Sequence, residues 1–352
     1  MRETPIKGRG AIANPSGRFA EQQSEVLDDG WWQEDEPTPQ TRILVDTARS
    51  VISYNDSPDV PFDRSINPYR GCEHGCTYCF ARPTHSYLDL SPGLDFETMI
   101  FHKPEAPALL RRELSKPGYR PAPVALGINT DGWQPVEKAL KLTRRLLSVL
   151  AEFRHPVSIV TKSSLIVRDL DLLAPMAAQR LVSVAFSVPT LDPELARRME
   201  PRAASPARRL KAMQQLARAG IPVGVLIAPV IPHLNDHEPE GVLQAAQEHG
   251  ARWGGHALLR LPHELKAIFP DWLEANYPDR AGAVLRQLRE MRGGELYEAG
   301  FGTRMSGHGM MAQLLADRIR KAYRRLGMNG EEWSLRSDLF RVPGRAEQQT
   351  LF

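Results

Sequence analysis

The chain has 352 residues, with 45 Lys and Arg against 42 Asp and Glu, a formal net charge of +3, 42% apolar and 25% charged residues. This balance is that of a globular protein with a sizeable core and excludes collagen-like or wholly disordered classes. No stretch approaches the roughly 18 uninterrupted apolar residues of a membrane span, and Met1 to Gly8 hold no signal-like apolar run, so a cytoplasmic protein without a membrane partner is expected. A pI near 8.8 permits a nucleic-acid partner without demanding one.

Residues 1–60 carry few periodic apolar positions. They open with the Gly/Arg run Lys7-Gly8-Arg9-Gly10 and contain an acidic patch at Glu34–Glu36, so an extended N-terminal arm is expected, with Trp31 and Trp32 packed onto the main domain. The segment from Ile66 to Phe80 follows, and it holds all three cysteines of the chain, Cys72, Cys76 and Cys79. Thiolates at this spacing in a loop hold a metal. Four would complete an iron–sulfur or structural zinc site, whereas three leave one position open to a small molecule. A structural zinc with His74 or His85 as fourth ligand is the alternative. A disulfide suits neither an odd cysteine count nor a chain without secretory features. Gly71 and Gly75 supply the backbone freedom that a loop around an inorganic core needs.

Beyond this loop one pattern recurs: a short apolar run, a polar loop and an amphipathic helix. Strands are expected at Ile66–Tyr69, Val124–Ile128, Val157–Val160, Val182–Val188, Val223–Ile231 and Ala257–Leu261. Helices are expected after Pro135, at Asp169–Ala178, at Pro206–Ala219 with its Gly220 stop, and at Glu238–His249. Six such units imply a parallel α/β sheet curled into an open, partial barrel. The expected division is an arm to residue 60, a core over 61–265, a helical C-terminal region over 266–341 and a mobile tail over 342–352. The helix at Met310–Leu326 places Arg318, Arg320, Lys321, Arg324 and Arg325 on its exposed side.

In parallel β/α folds the reacting groups collect at the C-terminal ends of the strands. The second strand ends in Gly127-Ile128-Asn129-Thr130-Asp131-Gly132-Trp133-Gln134-Pro135-Val136-Glu137, a polar cluster on a glycine-permitted turn. The third ends at Thr161-Lys162-Ser163, the fourth near Ser187, with Glu200-Pro201-Arg202 beyond it, and the fifth in a proline-stiffened exit before Asn235 and Asp236, which read as helix caps. Lys162 and Arg202 are the cations here suited to a carboxylate.

The Cys-x3-Cys-x2-Cys spacing with Tyr78 before the last cysteine resembles the signature of the radical S-adenosylmethionine (SAM) superfamily. The Thr130-Asp131-x2-Gln134-Pro135-x-Glu137 run resembles its DNA-repair-photolyase-like (spore photoproduct lyase-like) branch. The Gly8-Arg9-Gly10 start and the Gly307-His308-Gly309-Met310 helix entry resemble a subgroup of that branch with unassigned function. The resemblance implies a partial (β/α)6 barrel and a [4Fe-4S] cluster on Cys72, Cys76 and Cys79. It further implies SAM bound at the open iron and cleaved by one electron to a 5′-deoxyadenosyl radical, with Tyr78 beside the cofactor. The role of a Gly-Gly-Glu motif in holding the SAM amino group passes to Thr130, Asp131, Gln134 and Glu137, with Ser187 at the ribose and Arg202 at the methionine carboxylate. An external electron donor such as flavodoxin or ferredoxin is implied as well.

What the radical acts on is less legible. Lesion reversal in this branch uses a further cysteine as hydrogen donor and no fourth cysteine exists here, which leaves tyrosines such as Tyr87 or Tyr119. The ending Gln348-Gln349-Thr350-Leu351-Phe352 resembles the peptide by which repair proteins dock on the sliding clamp, through Gln348, Leu351 and Phe352. Two function classes stand: a radical SAM enzyme, with DNA as substrate and a protein, RNA or small metabolite as rivals, and a non-enzymatic metal-binding adaptor.

Overall fold

The computed structural model describes residues 6–20, 39–330 and 334–344; Trp31, Trp32, the Glu34–Glu36 patch and the Gln348–Phe352 ending lie outside them. Ten strands run in chain order: β1 (Arg42–Val45), β2 (Ile52–Tyr54), β3 (Arg64–Ile66), β4 (Tyr69–Arg70), β5 (Met99–His102), β6 (Val124–Leu126), β7 (Val157–Thr161), β8 (Val182–Ser187), β9 (Val223–Val230) and β10 (Trp253–Leu258). The larger sheet has the order β10-β9-β8-β7-β6-β3-β2. Its first six members are parallel, and β2 closes one edge antiparallel to β3. This is the open α/β sheet with six parallel strands expected from the β/α alternation.

The middle of the sheet explains why the strands were legible. All six residues of β8 are buried, as a parallel strand covered on both faces requires. Helices pack outside: α1 (Asp95–Thr98), α2 (Ala106–Leu114), α3 (Glu137–Leu140), α4 (Leu142–Glu152), α5 (Leu170–Ala178), α6 (Pro193–Met199), α7 (Pro206–Arg218) and α8 (Pro239–Glu248). In α4 the buried residues Leu142, Leu146, Leu147 and Leu150 form a stripe along one face of the helix. Three helices follow the last strand: α9 (Leu265–Asn276), α10 (Pro278–Glu290) and α11 (Gly309–Arg325). Part of the basic face of α11 is neutralised, since Arg318 pairs with Glu240 and Arg320 with Asp317.

Three expectations need correction. The first strand does not run from Ile66 to Tyr69. It breaks at Asn67-Pro68, where proline cannot donate to a ladder, and Tyr69–Arg70 pairs instead with β5 in a separate sheet of order β1-β5-β4. The last strand lies earlier than Ala257–Leu261, because Gly254 and Gly255 dilute its apolar pattern. A side chain at Gly254 would come within 2.7 Å of the Tyr323 ring on α11, so glycine is what allows that helix to close over the sheet edge. The stretch read as extended arm contributes β1 and β2, the latter held by the Glu113 carboxylate on the Val51 and Ile52 amides at 2.8 and 3.2 Å.

The N-terminal ends of the strands are sealed by aromatic packing. Phe340, in the described C-terminal segment, stacks against Tyr119, Phe153 and His155. His155 is fully buried; its Nδ1 lies 2.9 Å from the Pro156 carbonyl and its Nε2 2.8 Å from the Tyr119 hydroxyl. A carbonyl only accepts, so Nδ1 carries the proton and Nε2 accepts from Tyr119.

Burial pushes His155 down to about 4 from the ordinary 6.5. Between those values the unfolded chain binds more protons than the folded one, so this contribution is complete above pH 6.5 and is lost as pH falls toward 4. His155→Gln is expected to flatten the fall in stability measured by denaturant titration between those two pH values. At the sheet centre, Phe186→Ala is expected to cost about 3–5 kcal/mol in the same measurement, while Tyr54→Ala, on the exposed edge strand, changes it by no more than about 0.5 kcal/mol.

Candidate cofactor site

The cysteine loop leaves β4 at Gly71 and has no ladder of its own. Both of its glycines adopt left-handed backbone, with φ of 77° at Gly71 and 67° at Gly75. A side chain at Gly71 would press on the Met99 and Phe96 carbonyls at 2.9 and 3.0 Å. Cys72 and Cys76 are buried and Cys79 is half-buried, all three as free thiols. Burial, and then the neighbouring sulfurs and Asp131, raise the Cys72 thiol, while burial pushes Cys76 up to about 12. Left alone these two thiols are therefore protonated, and a bound cation is what draws the protons off.

Side chains from outside the loop satisfy its backbone. Gln134 accepts from the Glu73 amide at 2.8 Å and donates to the Gly71 carbonyl at 3.1 Å. Arg82, fully buried, donates to the carbonyls of Cys76 at 2.8 Å and Gly75 at 3.1 Å, and pairs with the fully buried Glu97. From the far side of the sheet, the Thr77 amide donates to the Met199 carbonyl at 3.0 Å and the Arg202 amide to the His74 carbonyl at 3.3 Å. Tyr78 donates its hydroxyl to Glu200, which pairs with Arg209; Arg209 in turn donates to the Ser187 carbonyl at the end of β8, at 2.8 Å. Burial alone would raise Glu200, but Arg209 and Lys162 bring it below the usual carboxylate value.

The second-strand loop thus works differently from the expectation for its side chains. Thr130 donates to the Tyr69 carbonyl at 2.9 Å. Asp131 accepts from the Trp133 amide, the Thr161 hydroxyl and the Lys162 amide, at 2.6 to 3.0 Å. Glu137 is fully buried and accepts from the Tyr69 hydroxyl, the Thr143 amide and Arg168. With Gln134 fully buried on the cysteine loop as well, Gln134 and Glu137 present no free face to a ligand, and this is a correction to their expected role. The cluster of polar residues is a brace between β6, β7 and the cysteine loop. Gly127 does what its position suggested: at φ 84° it lies where a side chain would meet the Val160 carbonyl at 2.3 Å.

The remaining expected residues surround the loop. Lys162 holds its ammonium 5.8 Å from the Tyr78 ring centre; burial alone would lower it, while Cys76 and Glu200 raise it. Ser187 is buried and donates to the Ala228 carbonyl at 3.3 Å. Arg202, one-third exposed, pairs with Glu73 at 3.0 Å. Of the two tyrosines, Tyr87 is exposed on the turn after the loop, and Tyr119 stands at the opposite end of the sheet with Phe340 and His155, which removes it as a hydrogen donor here. Arg82, Glu97 and Arg209 went unread. Buried arginine–glutamate pairs leave no periodic trace, although an arginine three residues past Cys79 was a place to look.

The donor set fits an iron–sulfur cluster better than zinc. His85, the fourth zinc ligand considered, packs edge-on to Phe96 and Phe101 with Nε2 on the Met99 carbonyl at 3.1 Å, and His74 faces Asp131 at 3.5 Å. Among the described residues no three His, Cys, Asp or Glu side chains gather round one point for a single ion, a requirement that a cubane, in which each cysteine takes a different iron, does not impose. Thr77, inside the loop, is fully buried with an unpartnered hydroxyl.

Residues 66–246 match the family described as the radical SAM superfamily. The chain belongs to that superfamily. Its curated relatives include an uncharacterized protein of Mycobacterium tuberculosis, 41% identical over 225 residues, which are 62% of this chain and 65% of the relative. Another is from Methanocaldococcus jannaschii, 30% identical over 173 residues, 49% of this chain and 62% of the relative. The chain thus spans just under two thirds of the relatives it matches. Among solved structures, spore photoproduct lyase complexed with dinucleoside spore photoproduct has a TM-score of 0.58 at 18% identity, covering 81% of this chain and 80% of the other. A mutant of the same enzyme was solved with AdoMet bound. At that identity the likeness concerns the fold, and the radical SAM chain keeps its own side chains around it.

Glu200→Ala leaves Arg209 buried and unpaired, and is expected to destabilise this radical SAM protein by about 3–5 kcal/mol by denaturant titration.

Proposed function

We propose that the protein is a radical SAM enzyme that holds a [4Fe-4S] cluster on Cys72, Cys76 and Cys79 and reductively cleaves SAM, with DNA as the substrate class. The observation that carries the reading is the cysteine loop: three thiols on one turn with no fourth cysteine in the chain, held by buried side chains at the strand ends of an open barrel. When bound, the cluster supplies the electron that splits SAM into methionine and a 5′-deoxyadenosyl radical. An external donor such as flavodoxin or ferredoxin delivers that electron.

The chain's own groups bind and orient. Lys162 and Arg202 offer positive charge to the methionine carboxylate, Arg202 exchanging Glu73 for it, and Ser187 lies by the ribose. Tyr78, fixed by Glu200, walls the cofactor beside Cys79. Thr130, Asp131, Gln134 and Glu137 act on SAM indirectly, by keeping the cysteine loop in place. The division into a segment to residue 60 that lends β1 and β2 to the sheets, a core over 61–265, a helical region over 266–341 and a tail is kept as part of the proposal, as are a cytoplasmic location and docking of Gln348, Leu351 and Phe352 on the sliding clamp. DNA is favoured by the second-strand loop and by the exposed Lys321, Arg324 and Arg325 of α11. It is also in keeping with the dinucleoside spore photoproduct held in the spore photoproduct lyase complex.

Anaerobic reconstitution with iron and sulfide should give the paramagnetic signal of a reduced cubane. With SAM and dithionite the wild-type chain is expected to form 5′-deoxyadenosine, and Cys72→Ala or Cys76→Ala none above background. Tetrahedral zinc in anaerobically purified protein, or no SAM cleavage by loaded protein, would overturn the reading in favour of a metal-binding adaptor. Mass spectrometry of damaged DNA incubated with reduced enzyme and SAM tests the substrate; unchanged DNA would redirect it to protein, RNA or a small metabolite.

A further inference from the structure

The Gly8-Arg9-Gly10 start has no place in the chemistry above, yet the structure lays it across the back of the cysteine loop. Gly10 lies so close to Gly75 that a side chain would sit 1.8 Å from the Gly75 carbonyl oxygen and 3.1 Å from the Thr77 methyl. Only glycine fits. The Gly10 and Ala11 amides donate to the two oxygens of Glu97 at 2.9 and 2.8 Å. The same carboxylate pairs with Arg82, whose remaining donors hold the Gly75 and Cys76 carbonyls. Arg9, itself buried, donates to the Glu97 carbonyl at 3.0 Å and the Pro39 carbonyl at 2.6 Å.

Further along, the segment is fastened at each turn. Asn14 exchanges hydrogen bonds with Asp95 at 2.9 and 3.0 Å, Ser91 donates to the Pro15 carbonyl at 2.5 Å, and Arg18 pairs with Glu264 at 3.0 Å. Ala11 and Ile12 are buried under it. A fully buried carboxylate with two backbone amides and one guanidinium is satisfied on every side, and removing any partner leaves charge or a donor unmet.

Resting on the cluster reading above, we infer that residues 6–12 form a fixed wall of the cluster site, anchored by residues 14–18 beyond it, with Glu97 as the positioning residue that joins this wall to the cysteine loop. The wall does two things: it fixes the turn between Cys72 and Cys76 through Gly10 against Gly75, and it closes the loop's back to water and oxygen. The N-terminal segment is on this account part of the cofactor site.

The test uses the full chain, reconstituted anaerobically, with Gly10→Ala, Arg9→Ala and Glu97→Gln compared with wild type. Gly17→Ala serves as control: it strains the same segment against the Ser86 side chain at 2.8 Å, away from the cysteines. The readouts are iron per chain, the paramagnetic spectrum of the reduced cluster, the rate at which its visible absorbance bleaches in air, and the melting temperature. Gly10→Ala and Glu97→Gln are expected to lower iron retention, alter the spectrum and bleach about tenfold faster or more, the scale of one lost charge-assisted bond. Gly17→Ala should match wild type in all three cluster readouts. Should Gly10→Ala fail to melt cooperatively, Arg9→Ala, which deletes the bonds to the Glu97 and Pro39 carbonyls and adds no bulk, carries the same expectation at smaller size. Wild-type iron content, spectrum and bleaching rate in the folded variants would overturn the wall. Failure of the wild-type chain itself to hold a cluster would instead overturn the function proposed above.

Discussion

The arrangement depends on one constraint: a loop without secondary structure carries three thiols, two of them buried, and each backbone group it buries must find a partner. Helix or strand would satisfy those groups locally but would fix the cysteines at the wrong spacing. The loop therefore borrows partners from Gln134 on one side, Arg82 on another and the Met199 carbonyl on a third. This explains why its surroundings are so polar although they are buried. The side chains there serve the loop's peptide groups first, and a ligand only through them.

The two buried ion pairs follow from the same need. Arg82–Glu97 and Arg209–Glu200 are almost wholly out of solvent. Pairs of that kind gain little over well-packed apolar groups, because desolvation offsets their attraction. Their worth lies in geometry: a guanidinium carries five donors in a rigid plane, so one arginine can tie a carboxylate and several carbonyls at fixed angles. Arg82 ties two carbonyls of the cysteine loop and two more at Pro92 and Gly93. An apolar substitute would pack, but it would leave those carbonyls bare.

Sequence patterning made the barrel readable and the site only partly so. Strands β6 to β9 are rich in buried Val, Ile, Leu and Phe because they lie inside the sheet, and such runs stand out. Strands β1, β2, β4 and β5 are two to four residues long and lie at edges or in the small sheet, too short for a period to register. The cysteines were legible by spacing, since metal chemistry fixes residue type and separation together. The second-strand loop was legible as a polar cluster but not as a brace: Gln134 and Glu137 look the same in sequence whether they face a ligand or, as here, the Glu73 amide and the Tyr69 hydroxyl more than 60 residues away, and only burial distinguishes the two. Arg82, Glu97 and Arg209 were hidden for the same reason.

The two ends of the barrel are built from different materials, and that difference has a physical cause. At the cysteine end the walls are ion pairs and bonded amides, which hold positions closely. At the other end Phe340 closes over Phe153, Tyr119 and His155, while the Arg336 and Arg341 amides donate to the carbonyls of Arg180 and Phe153 just ahead of β8 and β7. Aromatic packing tolerates small shifts and carries stability, whereas a polar lattice loses a bond with each displacement. Substitutions at the aromatic end should therefore register in melting well before they register at the cofactor, and substitutions in the polar lattice in the reverse order.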